Sequence, residues 1–507
     1  MLKKILSVGG WTLVSRMTGF VRDVVTAAIL GAGPLADAFV VAFRLPNHFR
    51  AIFGEGAFNA AFIPTYARLR EQAGDAVAAL FANRILALVV IVQLALLAAA
   101  ITWMPQIVGL LAPGLAPKTF DLAVALTRIT FPYLLLITLV TLISAVLNAH
   151  ERFWAAAAAP ILLNVSMVAA LLLSWLFPDA AHAAAWGVMV SGIMQLALVW
   201  TDAARAGIAP RPALPRRDPA IGRFFRLLGP AVVGSAGVQL AMFADTIIAS
   251  TLPTGALSAL YYAERLYQLP LGVVGIAAGT VLLPEMTRRI AAGDVVGAHT
   301  AQNRALAVTL ALAAPCAAAF LVVPDLILSA LFQRGAFDEA AALRSGAVLA
   351  AYAVGLPAAV ILRSVTASFY SRQDTATPLW ASLAGYAINI GLKVALIGPF
   401  GVVGLALATS VGAWTNVVIL YCLGLRRGFM APSRPLLTIL TSVAIGCIAL
   451  AAMASYGRIP VAQAVAPHAG NWTAEATLTI LATAGCLLYG GIVLAIMRVA
   501  GLRLGRS

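Results

Sequence analysis

Charged side chains inside apolar segments are the residues of this chain that can do chemistry. The stretch SRMTGFVRD (15–23) sets Arg16, Arg22 and Asp23 in an otherwise apolar run. Asp37, Arg44, Arg50 and Glu55 follow in a second segment, and Glu264, Arg265 and Gln268 in a later one, with Arg128, Asp245, Arg363 and Lys393 in others. A charge near the centre of a bilayer costs between about 3 and about 15 kcal/mol, so one that is kept there usually lines a cavity or neutralises a partner. Bases outnumber acids at this depth, and the interior is net cationic. Arginine presents a planar fork of donors that grips phosphate or carboxylate with two hydrogen bonds at once. The chemistry implied is anion recognition by Arg16, Arg22, Arg50 and Arg265. For any one of them, an internal ion pair is the competing role.

Spacing sorts these residues further. Arg16 and Asp23 are seven apart and share a helical face, as an ion pair would. Arg22 aligns instead with Ser15, Gly19 and Thr26, a polar, small-residue stripe suited to a cavity. Asp37 and Arg44 share a face, and Pro46 is expected to break that helix before Arg50 and Glu55. Arg128 and Arg363 lie within reach of helix ends, where long side chains snorkel. A second cluster gathers Asp245, Asn389, Lys393 and Thr409. Its oxygens suit a sodium ion, but Lys393, one turn from Asn389, supplies an ammonium that can neutralise Asp245 in its place. No nucleotide-binding glycine loop, metal-ligand spacing or nucleophile motif is present, and the five histidines are scattered. Neither an enzyme nor a proton relay is expected.

The elements that must position these residues are read from hydropathy. The chain has 507 residues, 62% hydrophobic and 10% charged, with mean hydropathy +0.95. Apolar runs of about 18 residues or more recur along its length, the mark of transmembrane helices. Fourteen are expected, near 6–31, 36–64, 85–104, 119–147, 154–177, 184–203, 227–251, 256–284, 306–331, 345–370, 378–398, 401–424, 436–456 and 475–498. The fold expected is an all-α polytopic membrane protein.

Orientation follows from the loops. With the N-terminus inside, only Lys118, Arg334, Arg344 and Arg458 fall in outside loops, and every other loop lysine or arginine lies inside. Both termini are therefore expected in the cytoplasm. The formal charge of +15 reflects that bias and not nucleic-acid binding. The four cysteines lie in apolar segments and are expected as buried free thiols.

An internal repeat divides the chain. AFRLPNHFRAIFGEGAFNAAFIPTYARLRE (42–71) is echoed by AERLYQLPLGVVGIAAGTVLLPEMTRRI (263–290), each with Leu-Pro and then Pro with Arg four residues on. MPQIVGLLAPG (104–114) is echoed more weakly by VPDLILSALFQRG (323–335). Six helices per repeat give two bundles of like orientation, related by a pseudo-two-fold axis along the membrane normal. The parts expected are an N-terminal bundle (1–203), a basic cytoplasmic linker (204–226), a C-terminal bundle (227–424) and two further helices (425–507).

SRMTGFVRD, GAGPLADAFVVAFRLPNHFRAIFGEGAFNAAFIP (31–64) and YYAERLYQLPLGVVGIAAGTVLLP (261–284) resemble the MurJ/MviN lipid II flippases of the multidrug/oligosaccharidyl-lipid/polysaccharide exporter superfamily. The likeness runs the whole length. It implies a bacterial inner-membrane protein that moves lipid II, an undecaprenyl-diphosphate-linked disaccharide-pentapeptide, to the periplasmic leaflet by alternating access. It also implies a groove for the lipid tail on the last two helices. The headgroup arginines carry over to Arg16, Arg22, Arg50 and Arg265, and the gate acid to Asp37; Asp23 and Glu55 are the other gate or ion-pair acids. Two departures matter. Gln268 stands where some members have a Glu, against a salt-bridge gate there, and Lys393 stands where some place an Asp for sodium, against sodium coupling. No cofactor is expected. Expected partners are lipid II, membrane lipids and cell-wall synthesis or division proteins, and the chain is expected to act as a monomer. Competing readings are a flippase for another polyprenyl-linked glycan, a cation or drug exporter, whose cavity needs acids, and a non-transporting scaffold.

Overall fold

The computed structural model describes residues 2–50, 57–216, 218–272 and 276–501. Glu55 lies outside them. Among the described residues the regular structure is helical throughout. The helices are α1 (Leu2–Leu30), α2 (Pro34–Phe49), α3 (Ala57–Ala73), α4 (Asp75–Thr102), α5 (Met104–Leu111), α6 (Pro117–Thr130), α7 (Tyr133–Ala149), α8 (Trp154–Leu172) and α9 (Ala180–Arg205). There follow α10 (Pro219–Ser250), α11 (Ala256–Pro270), α12 (Ile276–Ala291), α13 (Val295–Val322), α14 (Pro324–Phe332), α15 (Glu339–Tyr370), α16 (Ala376–Arg426), α17 (Arg434–Ala469) and α18 (Thr473–Val499).

Each expected span has a counterpart, with instructive departures. The segment read as one helix over 119–147 is two, because Pro132 has no N–H to donate and the chain turns at Phe131 before α7 restarts. Pro46, by contrast, does not end α2, which continues to Phe49. The carbonyl that proline leaves without its helical donor, Ala42 O, accepts instead from Thr130 Oγ1 at 2.7 Å, so a neighbouring helix makes good the loss. The spans expected at 378–398 and 401–424 form α16, broken at Gly401, whose φ of 53° and ψ of −132° suit glycine. The weak echo between 104–114 and 323–335 is structural: α5 and α14 are short helices, each opened by proline. The expected span 306–331 therefore begins earlier, at Val295, and stops at Val322 before α14.

Packing divides the chain into two compact units, Met1–Ser258 with Gly335–Phe337, and Ala259–Arg334 with Asp338–Ser507. In the first unit α8 packs against α1 and α9, α2 against α6, and α3 between α4 and α10. Its boundary lies past the basic linker, so α10 belongs to it. The segment 335–337 docks on the end of α1, where Ala336 N donates to Ala28 O at 2.7 Å. In the second unit α15 packs on α13 and α16, and α17 pairs with α18 and leans on α13.

Small residues set the close approaches. A Cβ on Gly412 would meet the Asn389 Cβ at 2.8 Å, and one on Gly446 the Tyr489 ring at 2.8 Å. Loop acids cap helices: Asp179, Asp218, Asp294 and Asp338 each accept from a first-turn N–H. Two of the expected outside cations are paired, Arg334 with Glu475 at 2.7 Å and Arg458 with Asp325 at 3.1 Å. The cysteines are free but not buried. Cys422 and Cys486 are exposed and the other two half-exposed; Cys316 packs against Ala313, Ala317, Leu356 and Val360.

Candidate functional site

In the first unit, Arg22 and Asp23 on α1 are buried, 7% and 5% exposed. Arg22 curls back on its neighbour, with Nη2 at 2.7 Å and Nε at 3.1 Å from Asp23 Oδ1. Its Nη1 donates to Asn164 Oδ1 on α8 at 3.0 Å. Asn164 Nδ2 donates in turn to Ser15 O and Thr18 Oγ1, both at 3.0 Å. Gly19 lies alongside it, where a Cβ would stand in ordinary contact, 3.5 Å from Asn164 Nδ2. The polar stripe expected to face a cavity therefore meets α8 through one asparagine. Asp23 is paired with Arg22, while Arg16, its expected partner, is exposed. The reason is reach: a long guanidinium folds along the helix more readily than it spans two turns.

Asp37 is 3% exposed. Its two carboxylate oxygens accept from Gly255 N at 2.6 Å and Ser258 N at 2.8 Å. These amides open α11, where unsatisfied N–H groups and the helix dipole favour an anion. Arg44 donates to Thr246 Oγ1 at 3.2 Å and His48 Nδ1 lies 2.9 Å from Gln239 Oε1, so α2 is tied to α10 by polar contacts.

Arg50 follows α2 directly and donates from Nε to Asn47 Oδ1 at 2.9 Å. Among the described residues it is the one charged side chain lining a cavity of about 350 Å³ whose walls all belong to the first unit. Asn59 and Gln195 line it from α3 and α9. Along α7, Tyr133, Thr141, Ser144 and Asn148 line it at helical spacing. Sequence reasoning overlooked these neutral residues and Asn164. The signal was present as polar side chains on one face of YLLLITLVTLISAVLNA.

The second unit holds Arg265, half-buried, with its guanidinium 4.7 Å from the Tyr261 ring. Gln268 Nε2 donates to Glu264 Oε1 at 2.8 Å, so the glutamine answers an acid one turn away. The polar cluster is divided between the units: Asp245 lies in the first, and Asn389, Lys393 and Thr409 in the second. Lys393 is wholly buried and Asn389 6% exposed. Thr409 returns its hydroxyl to Leu405 O at 3.1 Å. Among the described residues there is no cluster of metal-ligating side chains.

Comparison with known proteins places this arrangement. The family model described as "Lipid II flippase MurJ" matches residues 26–469. The chain belongs to the MurJ family. A relative from Rhizobium meliloti (strain 1021), named a probable lipid II flippase MurJ, is 40% identical over 459 residues, covering 89% of this chain and 86% of its own. Another from Burkholderia cenocepacia, named lipid II flippase MurJ, is 34% identical over 446 residues, with 85% of each chain covered. Among solved structures, a lipid II flippase MurJ in an inward closed conformation matches with TM-score 0.82 at 22% identity, over 97% of this chain and 99% of that one. An inward-facing multidrug resistance MATE transporter matches with TM-score 0.69 at 13% identity, over 82% and 94%. The fold is thus the polytopic membrane fold that MurJ flippases share with MATE transporters.

Proposed function

We propose that this chain is a lipid II flippase that carries the undecaprenyl-diphosphate-linked precursor from the cytoplasmic to the periplasmic leaflet of the bacterial inner membrane. The observation that carries the reading is membership of the MurJ family together with a polar cavity whose one charged lining residue, among those described, is Arg50. A drug exporter that takes organic cations needs the opposite sign there. In the first unit Arg50 meets the diphosphate, with Arg16 and Arg22 as further cations along α1, and in the second unit Arg265 is the headgroup arginine. The halves 1–203 and 227–424 rock to alternate access, the linker 204–226 and both termini stay in the cytoplasm, and α17 with α18 takes the lipid tail.

Replacing Arg50 by Ala in cells depleted of their native flippase lowers lipid II accessible on the outer face about ten-fold or more, since a charge-assisted fork to phosphate is lost. An unchanged melting temperature shows that the variant still folds. Wild-type exposure from the mutant at matched expression removes Arg50 from the site. Wild type that restores no exposure points to another polyprenyl glycan as cargo.

Lys393 bears on the driving force. We assign it as a resident cation in the second unit, standing where a sodium ion would otherwise be held. An outward-moving diphosphate gains about 2.3 kcal/mol per charge per 100 mV of inside-negative potential. Flipping in vesicles is therefore expected to be unchanged when potassium replaces sodium and to slow sharply when the potential is collapsed. A requirement for sodium overturns this assignment.

A further inference from the structure

The cavity beside Arg50 is longer than a phosphate needs. Its α7 wall runs from Tyr133 to Asn148, roughly 22 Å at the rise of an α-helix. Arg50 sits at one end: Phe49 next to it packs edge-on to Phe131 at 6.3 Å. The other end lies beyond Asn59, because α3 runs along α7 until the Tyr66 hydroxyl reaches the His150 ring at 3.0 Å. Between these ends the polar lining, among the described residues, carries no charge. Among the described residues, neither the Ser144 hydroxyl nor the Asn148 amide has a hydrogen-bond partner in the protein, although both are half-buried. Gln195 is 1% exposed and makes one long contact, 3.5 Å to Ser191 Oγ. The opposite wall, Ala156, Ala159, Pro160 and Leu163 of α8, is apolar.

We infer that this stripe is a carbohydrate subsite that holds the N-acetylated sugars next to the diphosphate gripped by Arg50. The inference rests on the flippase reading above. Sugar rings offer hydroxyl and acetamido groups, which need the neutral donors and acceptors found on α7, and C–H faces, which suit the alanines and Pro160 of α8. A free inorganic anion would occupy only the Arg50 end. The peptide of the headgroup carries carboxylates, and a stripe without a second cation would strip their water and return no charge partner. The volume of about 350 Å³ falls in the range of small-ligand pockets, about 300 to 1,000 Å³, and not that of a whole disaccharide-pentapeptide.

The test uses the full chain in nanodiscs and three probes: undecaprenyl diphosphate, the same lipid bearing the N-acetylated disaccharide, and the lipid bearing disaccharide and pentapeptide. Wild type binds the disaccharide lipid more tightly than the bare lipid. Asn148→Leu combined with Ser144→Ala loses about ten-fold in affinity for both sugar-bearing lipids, as expected for two hydrogen bonds, and holds the bare lipid within about two-fold. Unchanged melting temperature excludes misfolding, and Ser144→Ala alone serves if the pair unfolds. Equal losses on bare and sugar-bearing lipids overturn the inference, as does no loss on either. A loss confined to the peptide-bearing lipid makes the occupant peptide and overturns it too. Wild type that binds none of the three overturns the flippase reading itself.

Discussion

Arg22→Ala is expected to abolish outward exposure of lipid II and to lower the melting temperature, and adding Asp23→Asn to restore the second property alone. The structure separates the two losses. Arg22 lies 2.7 Å from an aspartate that is 5% exposed. Removing one partner of such a buried pair costs about 3–5 kcal/mol, chiefly through the charge left behind. Neutralising Asp23 removes that charge, so a double-mutant cycle on thermal stability gives a coupling of similar size. Function is not expected to return, because the positive charge proposed to meet the diphosphate is still absent. Arg22→Lys keeps charge but has no fork to serve Asp23 and Asn164 together, and falls between. If the double mutant flips lipid II as well as wild type at matched expression, Arg22 is only a structural partner of Asp23 and the anion-binding set shrinks accordingly.

The sequence made the fold legible because bilayer length and hydropathy act locally. Where the reading slipped, a distant partner had intervened. Pro46 has the local signature of a helix break, and Thr130, far along the chain, supplies the hydrogen bond that cancels it. Asp23 and Arg16 have the spacing of an ion pair, yet adjacent Arg22 reaches the carboxylate and a second helix, α8, brings Asn164 to fix it there. The site was legible where it is charged, since a lone arginine in an apolar run is conspicuous. It was illegible where it is neutral: Ser144 and Asn148 are unremarkable until α7, α8 and α9 are folded around one cavity. The cysteines show the same limit, because hydropathy marks a residue as avoiding water without saying whether protein or lipid covers it.

Asp37→Asn is expected to release the start of α11 and to reduce flipping with it. Each carboxylate oxygen of Asp37 takes one backbone N–H, Gly255 at 2.6 Å and Ser258 at 2.8 Å. An asparagine can accept only one of them; its amide nitrogen turns a donor toward the other. One charge-assisted bond and the favourable interaction of a carboxylate with the helix N-terminus are lost, together about 2–4 kcal/mol at a buried site. Hydrogen exchange at the first turn of α11 reports the release directly. Arg265 lies farther along the same helix, so a frayed start loosens the element that carries an arginine proposed to meet the headgroup. A positioning role predicts that protection at Gly255 and Ser258 falls in step with lipid II exposure. Loss of exposure with full protection at those amides contradicts it, and leaves Asp37 acting on the transport cycle by its charge alone.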